Sequence, residues 1–256
     1  MNSPAIGCVP YLNARPLICG MEDRTRLAVP SELSRQLREG QIDVALVPIV
    51  EYLEWPHYRI MPGIAIASRG PVQSVYIAHR KPLKEIRTLQ LDLSSKTSNL
   101  LARVILACFL QQKVECGFSR DADAQLLIGD PALQQRARLL SEGWELFDLG
   151  EAWTRHTGLP FVYAFWAARE GVKAEAYLPL LHEAKETGLA QLEAISSAQQ
   201  IIEPAAALNY LRNHVSYDLG EDEWKGFREF QRLGVEQKWI QPSGMNLVEI
   251  SATMEE

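Results

Sequence analysis

The sequence predicts an α/β protein of two lobes that close on a small carboxylate ligand held in the cleft between them. Three observations carry this. Short apolar strands alternate with helices through the first two-thirds of the chain, and the last third is helical in period only. The 256 residues exceed one ordinary α/β domain and suit two small lobes of roughly 100–150 residues each. Four hydroxyls fall within Ser94-Ser95-Lys96-Thr97-Ser98, where a strand gives way to a helix.

The elements follow in order. Ala5–Val9 reads as a short apolar strand running into a loop with two prolines, Pro10 and Pro16; the second suits the first turn of a helix. Pro30-Ser31 opens a helix with Ser31 as N-cap, Leu33 and Leu37 on one face, and Gly40 as its stop. Asp43–Pro48 is apolar and bounded by proline, as a buried parallel strand should be. Residues 60–67 and 74–79 read as further strands. Thr88–Leu93 alternates Leu89, Leu91 and Leu93 and feeds the hydroxyl run. A helix over about 99–111 then carries Leu100, Leu101, Val104, Ile105, Cys108 and Phe109 as one stripe. Val114–Phe118, Ala124–Ile128 and Phe161–Ala168 read as strands, the last at a lobe boundary. Residues 174–192, 204–214 and 221–233 are helical, the last with Glu221, Asp222 and Glu223 in its favourable first turn. These spans predict a first lobe from residues 1–81 plus 169–256 and an inserted second lobe from 82–168, joined by two crossings that act as a hinge.

Composition narrows the function. The net charge of −6, with no basic stripe, argues against a nucleic-acid partner. No run reaches the roughly 18 apolar residues of a membrane span, and the N-terminus shows no leader pattern, so a cytoplasmic protein is expected. Cys8, Cys19, Cys108 and Cys116 lack CxxC spacing and read as reduced thiols. No two of the five histidines have ligand spacing, and GxSxG, HExxH and GxGxxG are absent. Neither metal nor cofactor is expected.

Ser94–Ser98 carries the strongest local signal. First-turn N–H groups have no intrahelical partners, and the dipole there favours negative charge. The hydroxyls of Ser94, Ser95, Thr97 and Ser98 add donors without bulk, which suits a carboxylate or a phosphate; an N-cap with spare serines accounts for the same pattern. Lys96 is not preceded by glycine, unlike a phosphate-binding loop. Tyr11-Leu12-Asn13-Ala14-Arg15 follows the first strand, where α/β sheets bind ligands; Asn13 can donate and accept, and Arg15 can meet a carboxylate. Ser68-Arg69-Gly70-Pro71-Val72-Gln73-Ser74 turns at Gly-Pro, with Ser68, Arg69 and Ser74 placed to face a cleft. Gly129-Asp130 closes another strand, and Asp130 can order a neighbouring loop, since an unpaired acid repels an anion. Among Trp153, Phe161, Tyr163, Phe165 and Trp166, mostly core, one or two can wall the ligand.

These loops, with Asp43-Val44-Ala45-Leu46-Val47-Pro48, Asp148-Leu149-Gly150, Trp153 and Thr157-Gly158-Leu159-Pro160-Phe161, occur in an order that resembles the chorismate dehydratase family of the futalosine route to menaquinone. The resemblance covers about residues 5–170; the helical tail shares only the general pattern. It implies a type II periplasmic-binding-protein-like fold adapted to catalysis, no cofactor, and conversion of chorismate to 3-[(1-carboxyvinyl)oxy]benzoate and water. It further implies catalytic roles for Asn13 and Ser74, with Tyr11, Arg15, Ser68, Arg69, Gly70, Ser94, Ser95, Thr97, Ser98, Gly129 and Asp130 binding the substrate. Two rivals share the fold class. A solute-binding protein would capture the anion without chemistry. The sister enzyme 1,4-dihydroxy-6-naphthoate synthase differs in its N-terminal loop and uses a histidine that Tyr11-Leu12-Asn13 does not match.

Overall fold

The computed structural model describes residues 5–241; the ends of the expected first lobe, residues 1–4 and 242–256, lie outside the described residues. In chain order the elements are β1 (Ile6–Cys8), a 3-10 helix (Leu12–Ile18), β2 (Thr25–Leu27), α1 (Pro30–Arg38), β3 (Val44–Pro48), α2 (Ile49–Glu54), β4 (Arg59–Ser68), β5 (Val75–His79) and β6 (Thr88–Gln90). They continue with α3 (Lys96–Val104), a π-turn (Ile105–Phe109), β7 (Glu115–Gly117), β8 (Ala124–Ile128), α4 (Gly129–Ser141), β9 (Glu145–Asp148), α5 (Leu149–Thr157) and β10 (Phe161–Ala168). The helices α6 (Leu178–Ala190), α7 (Leu192–Ala198), α8 (Pro204–Asn213) and α9 (Glu221–Glu236) are the last elements among the described residues.

Two five-stranded sheets result, in the orders β2-β1-β3-β10-β4 and β7-β6-β8-β5-β9. They share one plan. Three neighbouring strands are parallel (β2, β1 and β3; β7, β6 and β8), and the fourth position is held by an antiparallel strand. In each sheet that strand enters from the other lobe: β5 arrives directly from β4, and β10 returns from α5. Val75–His79 therefore belongs to the second lobe and Phe161–Ala168 to the first. The expected boundaries at 82 and 168 grouped these two strands the other way, because apolar patterning marks a strand but not the sheet it joins. The segments that cross between the sheets, where the sequence reading expects a hinge, are those between Ser68 and Val75 and between Thr157 and Phe161.

Local differences have local causes. The first turn of α1 begins at Pro30 itself, with Val29 as its cap, so Ser31 lies inside the helix. β6 stops at Gln90, short of the expected Leu93, whose side chain is 87% exposed. The expected 99–111 helix begins earlier, because Ser95 caps it, and widens into the π-turn.

The core where α5 and α9 meet β10 is strongly aromatic. The rings of Trp153 and Phe161 lie 5.2 Å apart and those of Phe161 and Phe230 5.0 Å, both edge-to-face; such pairs contribute about 0.5–1.5 kcal/mol beyond their burial. They fix α9 against β10. At Gly226 a Cβ would come within 2.1 Å of the Pro160 carbonyl oxygen, so α9 lies directly on the second hinge segment.

Candidate active site

One cavity, with about 770 Å³ of empty space including its open mouth, lies between the sheets. It is reached from the carboxyl ends of parallel strands in both lobes, the position that α/β sheets favour for ligands. Val9, Tyr11 and Asn13 follow β1; Pro48 ends β3; Ser94, Ser95, Thr97 and Ser98 follow β6; Ile128 ends β8 and Gly129 opens α4. Val72 and Ser74 come from the first hinge segment, and Tyr163 from β10. Among the described residues, no charged side chain lines it. Favourable charge for an anion must come from the helix starts, chiefly α3 and α4, and from hydroxyls.

The hydroxyl run divides its labour. Ser94 donates both N–H and O–H to Asp92 Oδ1, at 2.7 and 2.5 Å. Ser95 caps α3, its Oγ accepting from Ser98 N at 3.1 Å, and donates to Ser98 Oγ at 3.0 Å. Thr97 Oγ1 accepts from Val50 N of α2, across the cleft, at 3.3 Å. Thr97 and Ser98 thus accept from the protein, which leaves their own protons to donate. Both are nearly buried, at 2% and 4% exposure. Of the four hydroxyls, those of Ser94 and Ser95 donate within the loop, while no protein acceptor is seen for those of Thr97 and Ser98 among the described residues.

Ser74 repeats the pattern. The Tyr210 hydroxyl donates to Ser74 Oγ at 2.9 Å, deep in the cavity, so the Ser74 proton is left for a ligand. Asn13 lines the same region, and its Oδ1 is buried without a partner among the described residues. A buried acceptor left unpaired costs about 1–3 kcal/mol. Asn13 and Ser74 therefore line one cavity, an amide that can accept and a hydroxyl that can donate, the pair a hydroxyl group needs.

Of the expected site residues, Tyr11, Asn13, Ser74, Ser94, Ser95, Thr97, Ser98 and Gly129 meet at the cavity. The others stand outside its lining, each for a visible reason. Ser68 pairs with the Tyr163 hydroxyl at 3.1 Å. Arg69 pairs with Asp222 at 2.6 Å, and Gly70 N donates to Thr154 Oγ1 at 2.8 Å. Asp130 Oδ1 accepts from Leu12 N at 3.1 Å, bridging the lobes. Burial raises the Asp130 carboxyl above its ordinary value, and the Leu12 N–H followed by the Arg15 charge opposes that rise. Arg15 is half-buried on the 3-10 helix. Burial also raises the Tyr11 phenol, as do the charges of Asp92 and Asp130, against a hydrogen bond with Ser94.

Sequence reasoning missed Tyr210 and Val215, which reach the cavity from the helical tail; nothing local marks them. It also left Asp148 without a role. The Asp148 carboxylate accepts from Val72 N (3.1 Å), Gln73 N (2.7 Å) and Glu151 N (3.0 Å). It thereby pins the hinge residue before Ser74, Gln73, in the left-handed conformation at φ 63°.

Comparison with known proteins places the chain. A family model described as menaquinone biosynthesis matches residues 4–236. The chain belongs to that family. The chorismate dehydratase of Thermus thermophilus is 31% identical over 92% of this chain and 97% of its own length. That of Campylobacter jejuni is 30% identical over 60% of this chain and 58% of its own. Among solved structures, a protein of Archaeoglobus fulgidus superposes with a TM-score of 0.73 at 16% identity, covering 92% of this chain and 97% of the other. The periplasmic aliphatic sulphonate binding protein of Escherichia coli gives 0.62 at 13% identity, covering 94% of both chains. These two establish the periplasmic-binding-protein-like fold.

Proposed function

We propose that this protein is a cytoplasmic chorismate dehydratase, a hydro-lyase that converts chorismate to 3-[(1-carboxyvinyl)oxy]benzoate and water in the futalosine route to menaquinone. The observation that carries the reading is that Asn13, whose Oδ1 is buried without a partner, and Ser74, whose oxygen accepts from Tyr210, line one cavity with no charged side chain among the described lining residues.

Chorismate brings much of its own driving force. The ring proton beside the enolpyruvyl ether is acidified through the diene by the ring carboxylate, and the product is aromatic. The protein must fix two carboxylates, orient one hydroxyl and exclude water. In this reading Thr97 and Ser98 donate to one carboxylate at the start of α3. The leaving hydroxyl donates to Asn13 Oδ1 and accepts from Ser74. The ring C–H proton passes to the substrate's enolpyruvyl carboxylate. The electron pair of that bond forms the new ring double bond, and the C–O bond breaks. The hydroxide leaves as water with the proton the carboxylate took, so atoms and charge balance.

The test is direct. Purified protein is incubated with chorismate, and the benzoate is followed by chromatography. Turnover supports the reading, and Asn13→Ala should lower kcat at least tenfold. Binding without turnover would favour a solute-binding role, and wild-type turnover by Asn13→Ala would remove Asn13 from the mechanism.

A further inference from the structure

The helical tail completes the site. Tyr210 on α8 is 1% exposed, lines the cavity and donates its hydroxyl proton to Ser74 Oγ at 2.9 Å. The segment after α8 is tied to the first lobe and to the first hinge segment. Ala67 and Ser216 exchange two backbone hydrogen bonds, at 2.9 and 2.8 Å. The two ring nitrogens of His214 contact Pro71 O at 2.8 Å and the Gln73 side-chain amide at 2.7 Å. Tyr210 is therefore held in register with the two residues flanking Val72 and with Ser74 itself.

We propose that Tyr210 is a positioning residue for the dehydration, saturating the acceptor side of Ser74 so that the serine proton is directed at the departing hydroxyl; this rests on the chorismate reading above. A serine hydroxyl rotates freely unless a partner fixes it, because it both donates and accepts. With the tyrosine proton on its oxygen, the Ser74 O–H is not spent on Tyr210 and is free to donate into the cavity that Ser74 lines. Burial holds the phenol well above its ordinary value, with Ser74 and the nearby Asn13 amide opposing the rise. It stays neutral, a fixed donor rather than a proton source. The contribution is one of orientation, where small misplacements cost up to about a hundredfold.

The experiment is a double-mutant cycle on the full chain with Tyr210→Phe, Ser74→Ala and both. Tyr210→Phe keeps the ring and should lower kcat roughly 10- to 100-fold with KM within about threefold. In the Ser74→Ala background the same change should lower kcat by less than about threefold, since the contact through which it chiefly acts is gone. Melting curves follow the same logic. Tyr210→Phe should lower Tm by about 2–4 °C in the wild-type background and by less when Ser74 is absent. Wild-type kcat in Tyr210→Phe overturns the proposal. So do fully multiplicative effects on kcat, which would mean that Tyr210 acts independently of Ser74. If the wild-type protein fails to convert chorismate, the reading of the reaction falls and takes this inference with it.

Discussion

Asp148→Ala is the most informative single perturbation of the hinge. The carboxylate accepts three backbone N–H bonds, two from the first hinge segment and one from the first turn of α5. At about 1–1.5 kcal/mol each, their loss costs about 3–4.5 kcal/mol. Removing a buried carboxylate returns part of its desolvation cost, the same cost that raises its pKa above the ordinary value. The net expectation is about 2–4 kcal/mol, a Tm decrease of roughly 5–15 °C at 2–4 °C per kcal/mol for a chain near this size. Catalysis should fall further than stability, because Gln73 leaves its left-handed conformation and carries Ser74 with it. Asp148→Asn keeps one oxygen for Val72 and Glu151 and should recover about half the loss. Thermal melts at neutral pH with parallel chorismate turnover measure both. An Asp148→Ala protein within 1 °C of wild type, turning over normally, would refute the idea that this carboxylate sets the hinge.

Asp130→Ala should act on closure. Losing the bond to Leu12 N across the cleft costs about 1 kcal/mol, read as a three- to tenfold rise in KM with kcat within twofold; an unchanged KM in steady-state assays counts against it. Alkaline titration reports on the core. Burial raises the phenols of Tyr58, Tyr76, Tyr163, Tyr210 and Tyr217 above 10 in the folded protein. Their contribution to stability is full below the ordinary value and is lost as pH rises through the raised ones. At about pH 10.5 the native protein should therefore show phenolate absorbance from a minority of its tyrosines, the rest appearing with unfolding; half or more ionised in the native state would contradict the burial.

The sequence made much of the site legible because its parts are contiguous. A strand end followed by Ser94–Ser98, or by Tyr11-Leu12-Asn13, announces a helix start with spare polar groups, and the structure brings both to the cavity. What stayed hidden depends on distance along the chain. Ser68 and Arg69 sit beside a cleft residue in sequence, yet Tyr163 and Asp222 claim them. Tyr210 looks like one more apolar position of an amphipathic helix, and the pairing of Ala67 with Ser216 and the contacts of His214 with Pro71 and Gln73 carry it to Ser74. The sheet membership of β5 and β10 was hidden for the same reason, since no local pattern says which sheet a strand will enter.

The placement of β10 also governs how the chain is born. It fills the slot between β3 and β4, with Ala164 opposite Pro48 on one side and Phe161 opposite Ser68 on the other. During synthesis the ribosome completes β3 and β4 and then the whole second lobe before that filler exists. Both flanking strands wait with bare edges, the kind of surface that invites aggregation. The second lobe has every strand of its own sheet in hand once β9 is made. It can fold first and then deliver β10 as its parting strand, so the first lobe matures last and the catalytic cleft is the final part of the molecule to form.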